Sequence, residues 1–545
     1  MHRKPDLGLL LSAGIVTVAL TGCGGSGGGG ASSVGSSPPP PPSSTHTDVV
    51  TYRDDVARTG MDTTESVLTP TNVNSSSFGL LRMLPVDGKV DAQPLYLSQL
   101  SIAGATHDVL FVATENDSVY AFDPETGATL WHVSLLESGE TPSDDRGCDQ
   151  ITPEIGVTST PVIDTGAGPN GAIFLVAMSK DSSSNYHQRL HALDLTTGAE
   201  LFNGPTTVNP SYSSTAGGQQ AFSAGQYAER AALLLENGTI YTSWTSHCDV
   251  QPYSGWVVAY SESTLAQTAV INIAADSSGG PSIWMSGDGL AADASGNIYL
   301  LSANGDFDTT LDSGGLPQYG DYGNSFVKLS TAGGGLAVTD FFAPFNEVAE
   351  SAADQDLGSG GVMLLPDQTD SGGVVRHLMV GAGKDGNLYV IDRDSMGGFH
   401  PSTNADWQEL DGVFGSGVFS TPAYFNGTIY YGGVSGPLQA FAVSGAKLSA
   451  QPTSETSTEF PYPGTSPAVS ANGTSDGIVW AVENSNPAVL HAYDATDLTH
   501  ELYDSTQAAN GRDSFGAGNK FITPAVADGM VFVGTPNGVA VFGLL

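Results

Sequence analysis

Basic side chains are scarce. Seventeen Lys and Arg face 57 Asp and Glu, a net charge of −40, although only 14% of the 545 residues are charged. Phosphate neutralisation needs clustered cations, so nucleic acid is excluded as a partner. Cysteine is scarcer still: three residues, with no metal-ligand spacing, no vicinal pair and no C-x-x-C-H haem attachment. Eleven His are scattered without ligand spacing. Motifs of the G-x-S-x-G, H-E-x-x-H and phosphate-loop types are absent. The acidic runs Asp306-Phe307-Asp308 and Asp392-Arg393-Asp394 do not fit an EF-hand loop.

Small and turn-forming residues are abundant instead. The 69 Gly and 31 Pro fit many short strands and turns better than long helices. The N-terminus reads as a targeting segment, residues 1–22. Arg3 and Lys4 precede Leu7–Leu20, an apolar core too short to span a bilayer comfortably. It ends in Leu20-Thr21-Gly22-Cys23, which resembles the bacterial lipobox and makes Cys23 the expected lipidation site. Gly24 is not an inner-membrane retention residue, so the expected location is the outer membrane of the cell envelope, facing periplasm or exterior. Residues 23–47, rich in Gly, Ser and Pro, read as a tether. Cys148 and Cys248 remain, and a disulfide between them is expected outside the inner membrane.

Residues 48–545 read as one repeated unit. In 107–135, Val109–Thr114 is a β-branched apolar run, Glu115-Asn116-Asp117 a tight turn, and Val119–Phe122 a second strand. Asp123-Pro124-Glu125-Thr126-Gly127 is a turn with Pro to fix φ and Gly to free it, and Trp131 follows in a further strand. Seven more units follow, several opening on a Thr-Pro or Ser-Pro pair such as Thr160-Pro161, Thr421-Pro422, Ser466-Pro467 and Thr523-Pro524. The last unit stops after three strands at Leu545, and Phe78–Pro85 can supply its fourth. The expectation is an all-β, eight-bladed β-propeller closed by strands from both ends of the chain. Short turns fall on one face. Long segments, among them 136–157, 205–228, 246–255 and 343–360, fall on the other, where binding residues concentrate. Cys148 and Cys248 both belong to that decorated face.

Ala121-Phe122-Asp123…Thr126-Gly127…Leu130-Trp131 resembles the tryptophan-docking repeat of pyrroloquinoline quinone (PQQ) dehydrogenases, and His191-Ala192-Leu193-Asp194…Thr197-Gly198…Leu201-Phe202 is a second copy. The resemblance covers about residues 50–545 at the level of repeats. It implies PQQ and Ca²⁺ as cofactors and oxidation of an alcohol or sugar hydroxyl. Trp284 matches the family's floor Trp, and Asn304, in Ser302-Ala303-Asn304-Gly305, its Ca²⁺-ligand Asn. Lys384, in Lys384-Asp385-Gly386-Asn387-Leu388-Tyr389-Val390-Ile391-Asp392-Arg393, matches the residue on the quinone oxygens, and Thr158 a quinone-contacting Thr. Asp354 and Asp356 stand where the family carries its catalytic base. The chain departs from the family in lacking an adjacent Cys pair and in showing no second Ca²⁺-ligand Glu, Lys180-Asp181 occupying that region. With no haem motif, electrons would need an external acceptor. The alternative is a non-catalytic propeller scaffold that binds an envelope protein or a glycan.

Overall fold

The computed structural model describes residues 47–214, 218–276 and 279–545. Cys23, the signal segment and nearly all of the tether lie outside the described residues.

Eight antiparallel sheets of four principal strands follow one another along the chain. In the first blade these are Leu95–Ile102, Ala105–Ala113, Ser118–Phe122 and Thr129–Ser134, paired in sequence order. Tight turns keep the order. Gly127, at φ 76°, donates its N–H to the Asp123 carbonyl at 2.8 Å, while Asp123 Oδ1 accepts the Thr126 N–H at 2.9 Å. Asp194 and Gly198 repeat that turn in the second blade.

The ring closes as the three-stranded last unit requires. Ala525–Ala527, Met530–Thr535 and Gly538–Leu544 form the inner three strands of the eighth blade, and Phe78–Pro85 pairs antiparallel to the last of them, Phe78 opposite Leu544 and Pro85 opposite Gly538. The eighth blade thereby has its full four strands, drawn from two distant parts of the chain.

Neighbouring blades are stapled by aromatics. The Trp131 indole N–H crosses to the Leu195 carbonyl of the second blade at 2.9 Å. The contact needs a glycine opposite: a Cβ on Gly198 would lie 2.8 Å from Val133 and 2.9 Å from Trp131. Trp407 makes the same crossing from the fifth blade to the Ala446 carbonyl of the sixth.

A strap unassigned in the sequence, residues 47–65, crosses the inner strands of the ring. Carbonyls of Val49, Val50, Val56, Ala57, Thr59 and Gly60 accept N–H groups from Tyr96, Ile163, Ala292, Leu364, Tyr424 and Val469, one from each of six blades. Two fully buried guanidinium groups pin it. Arg58 donates to the carbonyls of Tyr52, Leu233 and Leu290, and Arg53 to those of Pro422 and Pro467. Backbone groups that would otherwise be orphaned along the axis are thereby satisfied.

Candidate active site at the propeller axis

Two contiguous cavities, open to solvent, share Gln150, Arg230, Ser286, Lys520 and Phe521. Tyr52 of the strap lines the first. Each of the eight connections that lead into an inner strand contributes a lining residue, from Lys89 and Asp91 before the first blade to Lys520 and Phe521 before the eighth. The decorated face is therefore real and its loops converge on the axis. Cys148 and Cys248 are disulfide-bonded on it, tying the loop that carries Gln150 to the loop that carries Asp249.

Trp284, 9% exposed, lines the cavity. Its loop is held in a strained form: the next residue, Met285, has φ 32° and gives its N–H to the Gly358 carbonyl. Phe521, also lining, has φ 65°. A bulky residue in that region costs of order 1–3 kcal/mol and persists only where packing over-determines it. Phe419 and Tyr462 meet edge to face with centroids 5.3 Å apart, extending the aromatic wall.

The cations are the feature the sequence reading missed. Arg230 is 7% exposed, and its guanidinium lies 5.9 Å from the Trp284 ring and 5.3 Å from the Phe521 ring. Among the described residues it makes no hydrogen bond and no ion pair, and neither does Lys520. Burial pulls both below their ordinary pKa, with the Arg230 and Lys89 charges adding to the effect on Lys520. Arg230, buried, and Lys520, half-buried, face one cavity without a hydrogen bond or ion pair, and a buried charge so placed is costly unless an anion arrives.

Thr158 lines the cavity and donates its hydroxyl to Glu115 Oε2 at 3.0 Å. Glu115 is fully buried, and burial and then Asp91 push its carboxyl well above the usual range. Burial also works to raise Asp91, but the hydrogen bond from Glu115 and the Lys89 ammonium, 2.9 Å away, outweigh it.

Asn304, Asp354, Asp356 and Lys384 form one cluster. Lys384 Nζ is 2.6 Å from Asp356 Oδ2 and 3.1 Å from Asp354 Oδ1. Asp356 Oδ1 accepts the Asn304 main-chain N–H and Asp354 Oδ1 the Asn304 amide N–H, both at 2.9 Å. Burial raises the Asp356 carboxyl, against the opposing charge of Lys384. Asp356 and Lys384 line the cavity. Lys180, from the region of the absent Glu, pairs instead with Asp144, and Asp181 with Asn185.

This chemistry fits a planar polyanion: aromatic rings to stack on, and Arg230, Lys520, Lys89 and Lys384 to meet negative oxygens. It does not fit a divalent cation. Both carboxylates are already held by an ammonium, the Asn304 amide nitrogen is spent as a donor to Asp354, and among the described residues no group of three or more acidic, His or Cys side chains is placed to hold a metal.

No protein-family model matches the sequence, and no curated protein matches it. Solved structures do match in fold. A quinohemoprotein alcohol dehydrogenase from Comamonas testosteroni aligns over 91% of this chain and 80% of its own, with TM-score 0.57 and 16% identity. A second, from Pseudomonas putida HK5, gives the same coverages and TM-score at 15% identity. A europium-containing methanol dehydrogenase aligns over 91% of this chain and 98% of its own, with TM-score 0.57 and 13% identity. The chain is an eight-bladed β-propeller of the fold found in quinoprotein alcohol dehydrogenases.

Proposed function

We propose that the axial cavity binds PQQ and that the chain is a quinone-dependent oxidoreductase acting on an alcohol or sugar hydroxyl. The observation that carries this reading is Arg230, a buried, unpaired guanidinium beside two aromatic rings in a chain of net charge −40. A tricarboxylate with a flat ring system satisfies all of it at once.

When bound, the quinone supplies the hydride acceptor. The chain's own groups do the rest. Trp284 and Phe521 would offer faces for stacking, and Arg230, Lys520 and Lys384 would hold the quinone's negative oxygens. Asp356 would accept the substrate's hydroxyl proton at its carboxylate, the hydride from the same carbinol carbon being what the bound quinone would take up. The strap closes one end of the axis and limits water there. Cys23 serves as the lipid anchor at the outer membrane, and electrons pass to an external acceptor.

The second reading, a propeller that binds an envelope protein or glycan without turnover, is favoured by one observation: Asp356, the carboxylate that lines the cavity, has both oxygens engaged, one by Lys384 and one by the Asn304 main-chain N–H. The test is dye reduction by the PQQ-loaded chain against a panel of alcohols and sugars. Turnover that is lost in Asp356→Asn, with quinone still bound, supports the oxidoreductase. Bound quinone without turnover on any substrate overturns catalysis and leaves the binding role.

A further inference from the structure

The Lys384 ammonium stands where two carboxylates converge, and the backbone holds it there. Its own N–H donates to the Asp356 carbonyl at 2.8 Å, and the Val418 N–H donates to the carbonyl of the preceding Gly383 at 2.9 Å. Only glycine permits that approach: a Cβ on Gly383 would lie 2.4 Å from the Asp356 carbonyl oxygen and 2.5 Å from Leu357 Cα. The hairpin that carries Lys384 and the loop that carries Asp354 and Asp356 are thus locked together at the backbone, which keeps the ammonium within reach of both carboxylates.

An ammonium has three N–H donors and no acceptor. Two are spent on Asp356 Oδ2 and Asp354 Oδ1. The third remains for the cavity that Lys384 lines. Asn304 completes the cluster as a donor through both its main-chain and side-chain nitrogens. Every carboxylate oxygen that a divalent ion would need is therefore already receiving a proton donor, apart from the outer oxygen of Asp354, which is largely exposed. A divalent ion placed between the same carboxylates would also sit against a fixed positive charge.

We propose that Lys384 is the resident cation of this cavity: its ammonium bridges Asp354 and Asp356 and presents its remaining N–H to the anionic ligand, so that the ligand is taken without a divalent metal. The identity of the ligand rests on the quinone reading above, whereas the exclusion of the metal does not. The consequence for specificity is that the cavity recognises an electron-rich oxygen by hydrogen bonding, where a metal site would recognise it by coordination.

The test titrates the full-length chain with Tb³⁺ and reads luminescence sensitised by tryptophan, Trp284 lining the same cavity. The wild type and Asp356→Asn give the same curve, because no ion enters. Lys384→Met, which unpairs the carboxylates, gains a saturable signal that the double variant with Asp356→Asn loses. A wild-type signal that Asp356→Asn removes would overturn the proposal, and so would no gain in Lys384→Met. A parallel arm measures PQQ affinity in chelator and in excess Ca²⁺. Equal affinities are expected, with Lys384→Met about ten- to a hundredfold weaker in both; tightening by Ca²⁺ of about tenfold or more would overturn the proposal. If PQQ fails to bind at all, the quinone reading falls and the Tb³⁺ arm still decides the cation.

Discussion

Replacing Arg230 by methionine should strengthen the empty protein and weaken the loaded one. In the empty cavity the guanidinium is 7% exposed and makes no ion pair and no hydrogen bond among the described residues, although the Asp91 charge acts on it from across the cavity. Its compensation is the faces of Trp284 and Phe521, 5.9 and 5.3 Å away. A desolvated cation–π contact is worth about 2 kcal/mol, while replacing buried charge by apolar groups of similar volume is neutral or stabilising by roughly 1–4 kcal/mol. Methionine keeps most of the packing against both rings, so a net gain of up to about 2 kcal/mol is expected. Unfolding entropy of about 2 cal/mol/K per residue makes that a rise in Tm of at most about 2 °C for a propeller of this size. The loaded protein loses charge-assisted hydrogen bonds of about 1.5–3 kcal/mol each, a ten- to hundredfold weaker quinone affinity. Differential scanning fluorimetry with and without PQQ reads both signs in one experiment. A variant that melts lower when empty and binds quinone as tightly as wild type would refute the reasoning and make Arg230 a structural residue.

Opening the Cys148–Cys248 bridge, by reduction or Cys248→Ser, should lower Tm and loosen quinone binding together, because it frees the loops of Gln150 and Asp249; chain entropy for a span of 100 residues sets an upper bound of about 5 kcal/mol. Trp131→Ala should cost about 2–3 kcal/mol through the lost Leu195 hydrogen bond and inter-blade packing, and leave quinone affinity unchanged, as a competition titration would show. Arg58→Met should cost more than about 4 kcal/mol, since the carbonyls of Tyr52, Leu233 and Leu290 lose their donor, and should appear as poor soluble yield or a large drop in urea midpoint. Burial pushes Glu229 up to about 8 from its ordinary 4.5, so between those values the unfolded chain releases a proton that the folded chain keeps. Stability must then fall as pH rises from about 4.5 to about 8, and Glu229→Gln should flatten that slope in melting curves taken across the range.

The repeat was legible because its signals are local. Asp123 and Gly127 close a turn five residues long, and β-branched runs on either side set the strands. The closing strand Phe78–Pro85 was legible by subtraction, from a last blade one strand short. The strap was not. Arg53 and Arg58 belong to no motif, and their partners are largely main-chain carbonyls as distant in sequence as Pro467, which leave no trace in side-chain pattern. Lys384, Trp284, Asp356 and Thr158 could be named from motifs, and all four line the axis. Arg230, Lys520 and Lys89 belong to no motif. Their signal was scarcity: each is one of only 17 basic residues, and each lies a few positions ahead of an inner strand, in the connections that converge on the axis. Trp407 was missed as a docking residue because a long insertion separates it from Asp392, so the spacing set by Asp123 and Trp131 does not recur.

The central claim is that the axis holds a planar polyanion. Its most direct measurement is an equilibrium titration of the metal-free, full-length chain with PQQ, followed by quenching of tryptophan fluorescence and by co-elution of the quinone. The account predicts saturation at one quinone per chain, loss of most of the affinity in Arg230→Met, and no requirement for Ca²⁺. Absence of saturable binding, or saturable binding to which Arg230 contributes nothing, would contradict it.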